Sequence, residues 1–236
     1  HKEYRRQRQM CIRDRWKIVG QLIVTIVFGL LALRFANAAG ETPASGMMSL
    51  FRDIDWLNFF SLGVAFGWIL YLLWIGFIGI AWSNATNLTD GLDGLAAGAG
   101  VFSISAMSLI AFWQFQQRCE GVRLPEGYVG ACYSTRDPLD LTIVAASFVA
   151  ALVGFLWWNA PKAKIFMGDV GSMAIGGVIA SMSILSRTEI LTVLVAGIFV
   201  IAPGSVILQR LYFKATGGRR MFLMSPFHPV SYTHLT

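Results

Sequence analysis

The sequence predicts an all-α fold, that of a polytopic integral membrane protein with about six transmembrane helices. Of its 236 residues, 56% are hydrophobic and 14% are charged, and the mean hydropathy is +0.60. Long segments without Asp, Glu, Lys or Arg recur along the chain, and a helix needs about 20 apolar residues to cross the hydrocarbon core of a bilayer. This composition excludes a disordered chain and argues against an ordinary soluble domain.

Six charge-poor segments are each bounded by Gly, Pro, Asn or charged residues, which favour helix ends. They are residues 17–38, 58–82, 91–114, 138–158, 171–187 and 189–211. The first follows a basic stretch, and the fourth starts at Pro138, which the first helical turn tolerates. The last contains Pro203, which is expected to kink it.

The loops between these segments differ in charge. Six crossings place both chain ends on one side, and the segments on that side hold thirteen of the nineteen Lys and Arg residues. The positive-inside rule makes this side the cytoplasm. The basic charge then faces anionic lipid headgroups or phosphate-bearing substrates, and we expect no nucleic acid partner. Cys119 and Cys132 lie in one outside loop, and the sequence allows either a disulfide between them or two free thiols.

The two ends of the sequence differ from its middle. Residues 1–15 and 229–236 lack the apolar character of the rest, and we expect them to be non-native segments flanking a membrane domain at 16–228. The alternative is a genuine basic arm that binds anionic lipid, and a short polar tail.

Three acids lie on the cytoplasmic side of the middle region. Asp90 and Asp93 fall in the run NATNLTDGLDGLAAG, and Asp169 falls in WNAPKAKIFMGDVGSMAIGG. Each could be a helix N-cap, because a carboxylate there accepts backbone N–H groups. Two acids and two glycines within five residues exceed what one cap requires. An acid at the edge of a membrane span is costly, so we expect a functional site.

The glycines of these two runs predict the kind of site. They are Gly91, Gly94, Gly168 and Gly171. Glycine permits positive φ and the close approach of a ligand, and a helix N-terminus binds phosphate. Carboxylates repel a phosphate unless a divalent cation lies between them, so the pattern predicts Mg²⁺. His228, taken alone, is typical of a surface histidine.

These runs, with SVILQR at 205–210 and MSPFH at 224–228, resemble the phospho-N-acetylmuramoyl-pentapeptide transferases, a branch of the polyprenyl-phosphate N-acetylhexosamine-1-phosphate transferase superfamily. The resemblance covers about residues 16–228. It implies part of a ten-helix enzyme of the bacterial inner membrane, with its active site at the cytoplasmic face. Such an enzyme uses Mg²⁺ to transfer phospho-MurNAc-pentapeptide from UDP-MurNAc-pentapeptide to undecaprenyl phosphate, which makes lipid I and UMP for peptidoglycan. A homodimer is also implied.

The resemblance also implies roles for individual residues. Asp169 corresponds to the Mg²⁺ ligand, and Lys17 would face the diphosphate. The other catalytic positions implied are Asp90, Asp93 and His228, the last as the first histidine of a cluster. The implied substrate-binding positions are Asn87, Gly91, Asn159, Phe166 and Gln209, with the Phe166 ring stacking on uracil.

Some family features are missing. No pair of adjacent aspartates precedes Trp16, no further histidines follow His228 as a cluster, and Ala202 and Pro203 stand where a glutamate is expected. We therefore expect the chain by itself to be an inactive fragment. The alternatives are a sister enzyme that uses UDP-GlcNAc or another UDP-sugar, a noncatalytic membrane scaffold, and a transporter, whose carboxylates should lie near mid-membrane. One-step and two-step transfer both remain open.

Overall fold

The computed structural model describes residues 2–37, 40–119, 132–133, 135–219 and 221–222. In these ranges the chain is mostly helical. The elements are α1 (Lys2–Arg34), β1 (Met47–Ser49), β2 (Asp53–Asn58), a 3₁₀ turn (Phe59–Leu62), α2 (Val64–Thr89), α3 (Leu95–Gln116), α4 (Pro138–Asn159), α5 (Gly168–Leu185), α6 (Glu189–Val195) and α7 (Gly197–Ala215). Strands β1 and β2 pair antiparallel, which adds a small hairpin to the expected helical fold.

Six of the helices described are long and apolar enough to cross a membrane, as the sequence predicts. These candidate spans are Trp16–Arg34, Val64–Thr89, Leu95–Gln116, Pro138–Asn159, Gly168–Leu185 and Gly197–Ala215. Many large apolar side chains on them face outward, including Leu73, Phe102 and Trp157, which are 66%, 77% and 82% exposed. An apolar outer surface of this kind suits contact with lipid tails. The chain is therefore a multi-pass membrane protein.

The second span starts and ends later than the sequence predicted. Residue 58 ends β2, and its Asn side chain accepts a hydrogen bond from the Phe60 backbone N–H at 2.9 Å. This bond caps the 3₁₀ turn, and Gly63, with φ of 108°, separates that turn from α2. The prediction of a helix over 58–82 is therefore wrong at its start. Residue 58 belongs to β2, and the Asn58 side chain caps a 3₁₀ turn at residues 59–62.

The run NATNLT is helical, although it lies outside the helices that the sequence predicted. The Thr89 hydroxyl donates to the Ala85 carbonyl at 2.8 Å, and the Thr86 hydroxyl shares its hydrogen between the Trp82 carbonyl, at 3.0 Å, and a carbonyl of α5. These bonds satisfy the polar side chains inside the helix, so they do not compete with its backbone hydrogen bonds. As a result α2 reaches the acidic turn at residues 90–94 directly.

The predicted last span, 189–211, is two helices. The break between α6 and α7 falls at Ala196, whose φ of −101° and ψ of 32° leave the helical region. Gly197 follows, and glycine has a low helix propensity. Pro203, where a kink was expected, lies inside α7. The prediction of one continuous helix is therefore wrong.

The core lies where α2 and α5 pack together. Ile75, Ile175 and Ile179 from these helices are at most 1% exposed, and Phe199 of α7 is fully buried. At Gly176 the helix backbones approach so closely that an added Cβ would lie 2.5 Å from the Ser83 Cα. This contact fixes α5 against the last turns of α2, next to the acidic loops.

The opposite end of the bundle carries the hairpin and the disulfide. Arg187, after α5, forms an ion pair with Asp53 of β2 at 3.0 Å. Cys119 and Cys132 form a disulfide with their Cα atoms 4.8 Å apart, so the disulfide is the alternative that the structure adopts. The acidic loops and the end with the disulfide and the hairpin therefore lie at opposite ends of the spans, as the alternation of crossings predicts.

A buried acid joins the hairpin to α6. Glu189, which precedes the last candidate span, is 7% exposed, and its Oε2 accepts a hydrogen bond from the Ser49 N–H at 3.0 Å. Burial, with a smaller contribution from Asp53, raises the pKa of Glu189 to about 8. The folded protein thus holds a proton on Glu189 at pH values where the unfolded chain has released it.

Stability should fall as pH rises because of this proton. The contribution of Glu189 is complete below its usual pKa and is lost as pH rises through about 8. Between pH 5.5 and 9 we expect the melting temperature of the detergent-solubilised protein to fall by about 5 °C or more. The Glu189→Gln variant, which keeps an acceptor for Ser49, should lose most of this dependence. Equal pH profiles for the two proteins would show that Glu189 is not the titrating group.

Candidate active site at one end of the helix bundle

Asp169 lies in the first turn of α5 and contacts two other helices. Its Oδ2 accepts a hydrogen bond from the Lys17 ammonium of α1, and the two side chains are 56% and 40% exposed. Its Oδ1 accepts a hydrogen bond from the Asn87 side-chain amide of α2 at 3.1 Å. Each carboxylate oxygen of Asp169 therefore has its own donor, and three helices that are distant in sequence meet at this residue.

Asp90 lies next to this carboxylate, directly after α2. It is half-buried, and burial together with the negative charge of Asp169 raises the pKa of the Asp90 carboxyl above its usual value. We call Lys17, Asn87, Asp90, Asp169 and the adjacent Ser172 the Asp169 cluster. Two interacting carboxylates with one lysine favour a further positive charge at this place.

The Asp169 cluster fits a magnesium ion held jointly with a substrate. In the described part of the chain, no three His, Cys, Asp or Glu side chains are grouped so that they could hold a metal by themselves. Mg²⁺ does not need such a group, because it is commonly bound through one or two carboxylates, water and substrate phosphates. Asp169, which is exposed, and Asp90 beside it supply that donor set. The resemblance assigned the metal to Asp169, and the geometry is compatible with that assignment.

Asp93 and Asn159 form a second set of contacts, between the turn at 90–94 and the loop before α5. The Asn159 Oδ1 accepts from the Gly94 N–H at 3.0 Å, and its amide nitrogen donates to the Ile165 carbonyl at 2.8 Å. The Asp93 Oδ2 accepts from the Ala163 N–H at 3.2 Å. Asn159 is 5% exposed, so its amide holds the two loops together. Its assignment to the nucleoside pocket stays a prediction.

The remaining predicted residues are more scattered. Phe166, in the loop before α5, is 74% exposed, and Gly91 lies in the acidic turn. The Gln209 Oε1 of α7 accepts hydrogen bonds from the backbone N–H groups of Met221 and Phe222 at 3.1 and 2.8 Å. Gln209 therefore holds the segment that follows α7 against this helix. His228 lies outside the described residues.

The capping alternative for the three acids is wrong. Helix α3 begins after Gly94 with no side-chain cap, and α5 likewise has none. Asp90 follows the carboxyl end of α2, where a carboxylate does not cap. Of the glycines expected at positive φ, Gly94 and Gly168 adopt it, at 76° and 63°, whereas Gly91 and Gly171 do not.

Two polar residues of the site were not predicted from the sequence. Ser172 is fully buried and accepts a hydrogen bond from the Asn87 amide at 2.9 Å. The Thr86 hydroxyl donates to the Ser172 carbonyl at 2.7 Å. The i, i+3 spacing of Asp169 and Ser172, which puts them on one helix face, was the available signal.

A groove beside Lys17 leads away from the cluster along α1, α2 and α5. Its cavity volume is about 480 Å³, and Val24, Phe28, Met173 and Ile184 are among its mostly apolar lining residues. Lys17 lines the groove and also contacts Asp169. The groove thus connects a charged site with an apolar surface.

Comparisons with known proteins identify the family. The profile of glycosyl transferase family 4 matches residues 9–187. A protein of Clavibacter michiganensis subsp. michiganensis is 51% identical over 225 residues, which are 95% of this chain and 60% of that protein. Proteins of Arthrobacter sp. (strain FB24) and Corynebacterium efficiens are 52% and 48% identical over 94% of this chain and 59% of their own length. All three are named phospho-N-acetylmuramoyl-pentapeptide-transferase.

The chain thus spans about 60% of the length of the curated relatives that it matches. The match to the family profile covers most of the chain, including most of α1, all of α2 to α5 and every residue of the Asp169 cluster. The chain therefore belongs to glycosyl transferase family 4.

Proposed function

We propose that this chain forms the carboxylate side of the active site of a lipid I synthase. The enzyme would transfer phospho-MurNAc-pentapeptide from UDP-MurNAc-pentapeptide to undecaprenyl phosphate and release UMP. The observation that carries the proposal is the Asp169 cluster, in which an exposed carboxylate, a second carboxylate, a lysine and an amide meet at one end of a membrane bundle. The names of the relatives supply the substrate class.

The proposed reaction needs positioning and charge neutralisation more than a strong nucleophile. In the one-step form of the reaction, an oxygen of the lipid phosphate would attack the phosphorus that carries the sugar, and the P–O bond to UMP would break; in the two-step form, a carboxylate of the enzyme would attack first and then be displaced by the lipid phosphate. Mg²⁺, when bound, would neutralise charge on the diphosphate. Asp169 and Asp90 would hold the ion, Lys17 would bind a phosphate oxygen, and Asp93 would keep the loop at 160–167 in place.

The surroundings of the cluster support the other parts of the proposal. The apolar groove beside Lys17 suits the polyprenyl tail of the acceptor, with its phosphate at the lysine. The exposed Phe166 ring suits stacking on uracil, and Gly91, Asn159, Gln209 and His228 complete the proposed substrate contacts. We place the cluster at the cytoplasmic face of the bacterial inner membrane, because the more basic loops lie at that end. We also propose that the enzyme contacts membrane lipids and forms a homodimer.

Donor binding tests the proposal. The full chain, purified into lipid nanodiscs that contain undecaprenyl phosphate, would be titrated with UDP-MurNAc-pentapeptide and with UDP-GlcNAc, each with Mg²⁺ and with EDTA. We measure binding and not turnover because the chain spans about 60% of its relatives' length. We expect Mg²⁺-dependent binding that is tighter for the muramoyl donor. Tighter binding of UDP-GlcNAc would favour the sister enzyme, and no Mg²⁺-dependent binding of either would overturn the proposal.

A further inference from the structure

Ser172 differs from the other serines of α5 in its partners. Ser181 and Ser183 donate their hydroxyls only to carbonyls of their own helix, Gly177 at 2.7 Å and Ala180 at 2.8 Å. The Ser172 hydroxyl also has such carbonyls within reach, at 3.2 and 3.3 Å, but it accepts in addition from Asn87 of α2. A bond between helices constrains a neighbouring side chain, whereas a bond within a helix does not.

The Asn87 amide nitrogen has two hydrogens, and both are used on α5. One goes to the Asp169 Oδ1 at 3.1 Å and the other to the Ser172 Oγ at 2.9 Å. Since an ionised carboxylate only accepts hydrogen bonds, the amide must present its nitrogen to Asp169. The Ser172 hydroxyl fixes the direction from which that nitrogen arrives. Asn87 therefore engages Oδ1, while the other oxygen faces Lys17.

We propose that Ser172 is a positioning residue that acts through Asn87, reserving Oδ1 of Asp169 for the amide and leaving Oδ2 for the metal. The Lys17 ammonium contacts Oδ2 now, and it would give up this oxygen when a divalent cation binds. The inference rests on the proposed function, because it assumes that Asp169 ligates a metal. Removing a residue that orients a metal ligand through a hydrogen bond commonly lowers metal affinity by about ten- to a hundredfold.

Mn²⁺ binding to the full chain in nanodiscs, measured by electron paramagnetic resonance with UDP-MurNAc-pentapeptide present at the concentration of the protein, tests the inference without requiring turnover. We expect Ser172→Ala to weaken Mn²⁺ binding by about tenfold, with a melting temperature within about 4 °C of wild type. Ser183→Ala removes a buried hydroxyl from the same helix and should leave Mn²⁺ affinity unchanged. Ser172→Thr, which keeps the hydroxyl, should bind Mn²⁺ more tightly than Ser172→Ala.

A double-variant cycle shows whether Ser172 acts through Asn87. We expect Asn87→Ala to weaken Mn²⁺ binding at least as much as Ser172→Ala, and the double variant to bind no more weakly than Asn87→Ala alone. Additive losses would overturn the inference, and so would a Ser172→Ala protein that binds Mn²⁺ as the wild type does. If the wild-type protein binds no Mn²⁺, the metal site of the proposed function fails instead. If Ser172→Ala does not fold, wild-type affinity in Ser172→Thr supports the inference and a tenfold loss there overturns it.

Discussion

Replacing Asp169 with asparagine should weaken Mg²⁺-dependent binding of the muramoyl donor by at least about 100-fold, because the proposed main carboxylate ligand is lost. The side chain keeps its size and its place in α5. Its ion pair with Lys17 is solvent-exposed, and exposed pairs contribute little to stability. We therefore expect the melting temperature to stay within about 3 °C of wild type. Isothermal titration calorimetry in nanodiscs, with and without Mg²⁺, measures the change in affinity.

The matched control for this variant is Asp140→Asn. Asp140 is also an acid in the first turn of a spanning helix, α4, but that turn lies at the opposite end of the bundle. Its replacement should leave donor binding unchanged. Full Mg²⁺-dependent binding by the Asp169→Asn protein would place the metal elsewhere. A loss in both variants would point to a general effect of removing acidic charge.

Replacing Gly176 with alanine should damage both stability and donor binding. The new Cβ would lie 2.5 Å from the Ser83 Cα and from the Trp82 carbonyl oxygen, and backbone atoms cannot move aside without shifting the helix. Overpacking of this kind costs about 1–3 kcal/mol, which for a chain of this size lowers the melting temperature by roughly 3–10 °C. Because Gly176 lies one turn from Ser172, the shift also moves Asp169 away from Asn87.

Gly177→Ala provides the control for this change. Gly177 is the next residue on α5, and an added Cβ there would meet no atom within 4 Å. Alanine is also the better helix former, so this variant should melt at or above the wild-type temperature and bind donor normally. Equal melting temperatures for Gly176→Ala and Gly177→Ala would show that α2 and α5 are less tightly packed than the structure indicates.

Much of the candidate site was already visible in the sequence. Asp90, Asp93 and Asp169 stand out because charged residues are rare in this chain and because glycines surround them. Their position on the same side as the basic loops follows from counting crossings. This reasoning needs only local pattern and the alternation of spans, so it does not depend on how the helices pack.

The contacts between these residues could not be predicted in the same way. Lys17 and Asp169 are 152 residues apart, and Asn87 and Ser172 are 85 apart. Both pairs depend on which helix faces which. Close approach of α2 and α5 at Gly176 decides this for Asn87 and Ser172. In a span that is apolar on every side, the hydrophobic pattern does not say which face packs inward. The hydrogen bonds that Gln209 accepts from the chain after α7 were likewise not predictable from its sequence run.

The sequence by itself determined the membrane fold, the number of spans, the end of the bundle that carries the acids, and the family resemblance. All of these depend on composition, on the spacing of charges and on short motifs, which are local properties of the chain. The tertiary structure alone decided that Asn58 caps the 3₁₀ turn, that the predicted last span is divided at Ala196, and that the Ser172 hydroxyl accepts a hydrogen bond from Asn87. These features depend on side-chain hydrogen bonds and on close packing between distant segments, which a one-dimensional pattern does not contain.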